Sequence, residues 1–429
     1  MSEVIPTRTV RRGKDTATIV DADICVLGAG ISGVSAALEA ARLGRKVVLV
    51  DGAPAIGGQA IGSIIGTIIG LYTHGPAPFQ LTHGIADELI DDLGAEGSIL
   101  RLQNSTVNFQ YDEVRLSRWM ERKIEEAGID TLVGAVLLDV DFVRRRIRHA
   151  DFATRFGRVR VRAKGFVDSS GDATLSFEAG LDVRQPEAPV FGSLNFLIEG
   201  YDRVAVRRLD MPAVRDRLKE RGARYGLVRH DGWLMPFEAK GFMLANITHI
   251  DTPLEPLAAA QMVFEGRRQA DATIAFLRGE FPEIFAQAQV RAYGNPGIRQ
   301  TRWIIGDKQL TLDDIRKAER PDDAVARCAW WVELHDSAEL VHWERFPDDH
   351  VYYIPLGCML PKDADNIVAA GRCVDADSHA LSAIRVMGPC IAMGTAAANA
   401  LDLAGEAPVR DVDKAELVQR LRDNLERKD

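Results

Sequence analysis

The sequence predicts an α/β fold in which a parallel sheet is interrupted by an antiparallel meander and accompanied by a second, α+β domain. Three observations predict it. Residues 23–51, "DICVLGAGISGVSAALEAARLGRKVVLVD", read as strand, glycine turn, helix and second strand. Residues 142–167 hold short β-rich runs separated by charged turns, as a meander does. A further short strand and a long apolar helix follow only at 366–403. With 429 residues, 46% hydrophobic and 27% charged, the chain can bury a large core and exceeds the usual size of one domain.

Taken in order, "TRTVRRGKDTATIV" (7–20) reads as a hairpin around Gly13. Residues 24–27 are a strand and 31–43 a helix, and between them stands Gly28-x-Gly30-x-x-Gly33. Gly28 permits the tight turn, Gly30 lets the backbone approach a pyrophosphate, and Gly33 lets helix pack on strand. The pyrophosphate then lies at the positive end of the helix, with Ala29 and Ser32 beside it. A second strand, 46–50, ends in Asp51 and Gly52. Asp51, eighteen residues beyond Gly33, can accept a bond from a ribose 2′-hydroxyl and would repel a 2′-phosphate. A glycine triplet alone is weak evidence; strand, glycines, helix, strand and acid in sequence make a Rossmann-like dinucleotide site. The fingerprint does not separate FAD from NAD.

An NAD-binding domain would run on to a third parallel strand. Here Pro54, Gly57 and Gly58 come instead, then "AIGSIIGTIIGLY". That run is too short for a membrane span, which takes roughly twenty residues. It is expected to be a loop or short helix against a cofactor or the core, with Gly62, Gly66 and Gly70 on one helical face. A helix at 114–128 and a strand at 131–140 precede the meander, which closes on "VDSSGD" (167–172). Residues 366–370 form a strand, and Pro389 suits the first turn of a helix reaching about Leu403. The polar tail 406–429 reads as a helix with Leu417, Leu421 and Leu425 four apart, open to docking on the body or on a second subunit as a homo-oligomer.

The pattern resembles the FAD-dependent oxidoreductases of the glutathione-reductase-like fold. "YYIPLGCMLPKDADNIVAAGRCVDADSHALSAIRVMGPCIAMGTAAANAL" (352–401) looks like the closing FAD-binding segment of a widespread bacterial family, and "GIRQTRWIIGDKQLT" (297–311) is similar to another of its segments. The resemblance covers 23–75, 114–180 and 291–403. It implies FAD as cofactor, with Gly28, Gly30 and Gly33 on the pyrophosphate and Asp51 on the adenosine ribose. Gly58, Gln59 and Ala60 would lie along the cofactor, Val136 would offer its backbone to the adenine, and Ser170 and Gly171 would close over the ribose. In many relatives a Gly-Asp pair serves the flavin near the C-terminus. Here Gly371 is followed by Arg372, which leaves that role to Asp375 or to no residue. Met387 and Pro389 open a helix whose amides can stabilise negative charge on a reduced flavin. The implied division is 20–75, 114–184 and 356–405 for FAD, 76–113 and 185–355 for a substrate or cap region, and 406–429 for the terminal helix.

Charge and motif content narrow the partners. A net charge of −9 argues against nucleic acid. Asp21 and Asp23 interrupt any export signal, so a cytoplasmic location is expected, and nothing calls for a membrane. Five cysteines without a CxxC pair read as buried hydrophobes and exclude dithiol chemistry. No second GxGxxG occurs in 185–355, so electrons would come from a small organic substrate and leave to oxygen, a quinone or a protein. "HDSAELVHW" (335–343) has no metal-ligand spacing, and no metal is expected. His379 is the candidate base and Arg385 or Arg302 the candidate anchor for a carboxylate, with Arg299, His249, Tyr352 and Tyr353 as further candidates. Arg302 and Arg385 could equally pair with Asp307 or Asp377. The expected activity is that of an FAD-dependent dehydrogenase or oxidase, with hydride transfer through the flavin and a polar substrate that is anionic if these arginines converge. The alternatives are a redox-neutral flavin-dependent isomerase, hydratase or lyase, and an FAD-bearing subunit of an electron-transfer complex.

Overall fold

The strand Thr18–Leu27 lies between two parallel partners, Val47–Asp51 on one side and Gly157–Asp168 on the other. The computed structural model describes residues 5, 7–9, 17–237 and 240–428. The sheet is covered on both faces, which explains the unbroken apolar runs "ICVL" and "VVLV". Asp130–Val133 adds a parallel strand beside Val47–Asp51. The hairpin expected around Gly13 lies outside the described residues.

The meander consists of Val136–Val143, Arg146–Thr154 and Gly157–Asp168. Besides Thr18–Leu27, its last strand has two partners on the other edge: residues near 157–161 pair with the meander, while Phe166, Val167 and Asp168 pair in parallel with Ile367–Ala369. The sheet therefore returns to the C-terminal segment where the glycine turn ends. The single strand expected at 131–140 is in fact two. Gly134, at φ +65, breaks it, and the Gly134 and Ala135 amides bond to the Ala53 and Asp51 carbonyls. Arg144 and Arg145 both take positive φ in the two-residue hairpin turn, where Arg145 is tied to Asp365 and Asp363.

The stretch 57–75 corrects a second expectation. Only Gly58–Gly62 is helical; Ile64 is left-handed, and Thr67–Ile68 joins a small sheet with Val107–Tyr111. Gly66 and Gly70 take φ +74 and +78 and share no helical face. Gly66 lies against Leu244, while a Cβ on Gly70 would stand 3.1 Å from Pro389 Cδ. A helix not anticipated, Ile85–Ala95, packs through Ile85, Leu89 and Leu93. Glu113–Glu126 matches the expected helix and is capped by the Asp112 carboxylate.

A second sheet, antiparallel throughout, runs in the order Trp233–Phe237, Phe242–Asn246, Phe196–Glu199, Gln289–Tyr293. The long helix Pro256–Glu280 covers it through Ala270, Ile274 and Leu277. Pro256 at its first position and Glu255 as its cap explain where it begins. The C-terminal helix Met387–Ala404 is apolar all round because it is buried, and it packs closely on Ile31–Arg42, where Ser35 donates to the Ile391 carbonyl at 2.8 Å. The tail forms two short helices, Lys414–Arg420 and Arg422–Glu426, broken at Leu421. Leu417, Leu421 and Leu425 dock on the body of the same chain. Among the described residues no single helix is long and apolar enough to cross a membrane; Ser378–Ile384 and Met387–Ala404 pass that test only as a pair, and they meet at 91°.

Candidate cofactor and substrate site

Two of the fingerprint glycines are required by the fold itself. Gly28 has φ +99, and a Cβ there would stand 2.5 Å from the Ser169 carbonyl carbon. A Cβ on Gly33 would fall on the Gly28 carbonyl oxygen. Gly30 differs: a Cβ there would meet only Gly58 Cα, at 4.0 Å. The first turn of Ile31–Arg42 has no side-chain cap, so its amides face this open space.

Two buried donors point to what fills the space. Ser32 is 6% exposed and its hydroxyl has no partner, and the same is true of one guanidinium nitrogen of Arg372. Gly371, at φ +72, lies against Ser32, since a Cβ on it would stand 3.3 Å from Ser32 Cβ, while the Arg372 guanidinium lies against Gly171, where a Cβ would stand 2.9 Å from Cζ. Helix amides and a free hydroxyl at the open Gly30, with a free guanidinium nitrogen on the residue next to Gly371, are donors of the kind a pyrophosphate requires. The residues fit the group.

Asp51 accepts from the Ala29 amide at 2.6 Å and from the Ala53 amide at 2.7 Å. Each carboxylate oxygen keeps a second lone pair for a ribose hydroxyl. Gly52 is exposed with open space around it. Val136 follows Ala135, whose amide bonds the Asp51 carbonyl, and its side chain is 57% exposed. Gln59 and Ala60 lie on the short helix that begins at Gly58, and the Ala60 carbonyl accepts from Tyr111 at 2.6 Å. Met387 opens the C-terminal helix, which has no side-chain cap, and Pro389 packs beside Gly70.

The turn 168–172 is more self-contained than expected. The Ser170 hydroxyl donates to the buried Asp168 at 2.6 Å and accepts from the Thr174 amide, while the Gly171 amide is held by Cys373 Sγ at 3.1 Å. The donors predicted to close over the ribose are therefore used inside the turn. Burial pushes the Asp168 carboxyl up, against the bonds from Ser170, Leu175 and Ser176. Asp375 is closed as well: Arg184, Gln309 and the Gly306 amide all donate to it. The aspartate role left open by Arg372 is thus not free to pass to Asp375.

The candidate substrate residues divide into separate groups. Arg302 lies over the Phe177 ring at 4.0 Å. His379 lines a cavity of about 540 Å³ with Arg184, Trp303, Gln309 and Asp377. Tyr352 is buried and donates to the Trp330 carbonyl at 2.7 Å. Asp307 pairs with Arg410, and Asp377 caps Ser378–Ile384, so neither neutralises Arg302 or Arg385.

Arg299 and Arg385 belong together. Arg299 donates to the Phe191 carbonyl at 2.6 Å and to Ser193 Oγ at 3.0 Å. Arg385 donates to the Glu333 carbonyl at 3.0 Å, and its buried Nε has no partner. Among the described residues neither forms an ion pair. Burial, then the charges of Arg385 and Arg229, push Arg299 well below the ordinary arginine value. Arg385 is lowered by burial, with Glu333 opposing and Arg372 adding to the shift.

Beside them His249 Nε2 lies 2.8 Å from His335 Nδ1, and His335 Nε2 is 3.3 Å from Glu333 Oε1. Burial, then the charges of Arg229 and Arg299, hold His249 down to about 2, and His335 is likewise pushed well below the usual range, by burial and then the charges of Arg299 and Arg229. His249 was a candidate from sequence, whereas His335, Glu333 and Arg229 were not. The only signal for His335 was its place in "HDSAELVHW", which spacing alone reads as structural.

The solved structures to which the chain is similar stand at low identity. A geranylgeranyl bacteriochlorophyll reductase-like protein from Thermoplasma acidophilum is 14% identical with a TM-score of 0.50, over 96% of this chain and 85% of that one. A flavin-dependent brominase is 14% identical with a TM-score of 0.46, over 94% and 83%. The anhydrotetracycline hydroxylase of Streptomyces rimosus is 14% identical with a TM-score of 0.46, over 94% and 65%. No curated protein matches the sequence. The family model described as FAD dependent oxidoreductase matches residues 23–425, nearly the whole chain. The chain therefore belongs to the FAD-dependent oxidoreductase family, with FAD as its cofactor.

Proposed function

We propose that this enzyme is a dehydrogenase or oxidase of the glutathione-reductase-like branch, acting on a small, polar, anionic organic substrate. The observation that carries the reading is the pair Arg299 and Arg385, part-buried beside the flavin-side Arg372 with no carboxylate partner among the described residues. Two neighbouring guanidiniums that make no direct ion pair and share the more distant Glu333 are costly in an enclosed site until an anion joins them. They would anchor a substrate carboxylate, the part first assigned to Arg385 or Arg302. Ser32, Arg372 and the amides following Gly30 would hold the pyrophosphate, Asp51 the adenosine ribose, and the Val136 backbone the adenine. FAD, when bound, supplies the two-electron donor or acceptor.

The FAD-binding part would comprise 20–75, 114–184 and 356–405, with 76–113 and 185–355 forming the cap, a division supported by the separate antiparallel sheet. Oxygen, a quinone or a protein would serve as the second redox partner, in the cytoplasm, with no nucleic acid. The test is anaerobic mixing of the yellow holoenzyme with small organic acids. Bleaching of the flavin by a carboxylate but not by its amide is the expected result. Turnover without bleaching would overturn the oxidoreductive reading in favour of redox-neutral chemistry.

A further inference from the structure

Three contacts follow one another through the buried cluster: the Ala338 carbonyl to His249 Nδ1 at 2.9 Å, His249 Nε2 to His335 Nδ1 at 2.8 Å, and His335 Nε2 to Glu333 Oε1 at 3.3 Å. Both ends of this chain accept, one as a carbonyl and the other as a carboxylate. Each contact needs one proton, and two neutral imidazoles carry one each. With Glu333 ionised, the neutral pair therefore leaves one contact facing lone pair to lone pair. One further proton completes all three hydrogen bonds.

What opposes that proton is charge and burial. His249 and His335 are 5% and 1% exposed. Arg229 faces them from the segment before Trp233–Phe237, Arg299 from the segment after Gly297, and Arg385 from the end of Ser378–Ile384. The acids around them are Glu333, Asp231 and Glu265. Asp231 is paired with Arg229, and Glu265 is bonded to Gln269, which itself holds the His249 backbone. Phe191 stacks on His249 and adds no charge. With Asp231 spent on Arg229, Arg299 and Arg385 share the attraction of Glu333 alone, which leaves a net positive charge on the pair.

We propose that His249, His335 and Glu333 take up a proton when a carboxylate ligand occupies Arg299 and Arg385, so that anion and proton enter the site together. The proposal rests on reading those arginines as an anion anchor. An anion there cancels the repulsion that keeps the chain one proton short, and by linkage the proton strengthens the anion's binding. His249 and His335 are positioning residues in this scheme, since they set the charge of the pocket rather than touch the ligand.

The experiment is titration calorimetry of the holoenzyme with acetate and benzoate, using acetamide and benzamide as uncharged counterparts. Buffers of different ionisation enthalpy, from about pH 5 to 8, would report the protons exchanged. The expected result is uptake of up to about one proton per carboxylate, with affinity rising by up to about tenfold per unit fall in pH. His335→Gln should keep carboxylate binding and lose the uptake. Nitrogen-15 spectra of labelled histidines in the unmutated protein give an independent reading: two neutral rings when free, and one imidazolium when carboxylate is bound. Carboxylate binding without uptake, or two neutral rings in the bound form, would overturn the coupling and leave the anion site standing. If neither carboxylate binds, the anchor reading fails and this proposal fails with it.

Discussion

Gly30 and Gly58 meet backbone to backbone: a Cβ on Gly58 would stand 2.7 Å from Gly30 Cα, whereas one on Gly30 would find no protein atom nearer than 4.0 Å. The fold itself therefore leaves a side chain at Gly30 room, while the constraint on Gly33 comes from the Gly28 carbonyl. Gly30→Val should leave the apoprotein folded with its melting temperature nearly unchanged, yet abolish FAD retention. Gly33→Ala should destabilise the fold by about 1–3 kcal/mol, the usual cost of overpacking. Circular dichroism melts and the 450 nm flavin band separate the two outcomes. Equal loss of stability in both variants would contradict this division.

Arg372 offers a second test of the cofactor cradle. Arg372→Met removes a buried donor that has no protein partner, so the apoprotein should not be weakened. FAD affinity should fall by about ten- to a hundredfold, the equivalent of roughly 1.5–3 kcal/mol for a bond to a charged group. The weakening should shrink at high salt, because part of it is charge attraction. Retention of FAD with unchanged affinity would remove Arg372 from the site.

At the substrate side, Arg385→Met and Arg299→Met should each weaken carboxylate binding by about 2–4 kcal/mol while FAD stays bound. The melting temperature of the ligand-free protein should change little in either, since the relief of repulsion between the two guanidiniums offsets the hydrogen bonds lost to Phe191 and Ser193 or to Glu333. Arg302→Met serves as the comparison, because its guanidinium lies over Phe177. A variant that loses carboxylate binding only at Arg302 would return the anchor to the residue first suggested by sequence.

The parts of this molecule that sequence discloses are those whose logic is local. The glycine turn, its helix and Asp51 stand within thirty residues of one another, and each has a stereochemical reason visible in the residue type. The helix Ile85–Ala95 has its signal in Ile85, Leu89 and Leu93, four residues apart, within a stretch that the family pattern leaves unassigned. The glycines at 62, 66 and 70 mimic a helical face, but Gly66 and Gly70 answer to Leu244, Val386 and Pro389, all distant in the chain. His249 and His335 stand 86 residues apart, and only the folded chain brings them into contact. Arg299 and Arg302 are separated by two residues and face different surroundings, a distinction that composition does not carry.

The same histidines make a prediction about acid stability. Both are held below the ordinary histidine value of 6.5, so they are neutral in the fold and bind more protons once unfolded. Their contribution to stability is complete above pH 6.5 and is lost as the pH falls from there toward the folded values, His249's being about 2. Each should add a slope of about 1.4 kcal/mol per pH unit within that window. Melting temperatures of the ligand-free protein measured on the acid side should therefore fall less steeply in His249→Gln than in the unmutated chain. A saturating carboxylate should flatten the unmutated curve as well, because the folded state then takes up a proton too. If the acid slope of the variant matches that of the unmutated protein, His249 is already protonated in the fold and the count of three contacts sharing two protons is wrong.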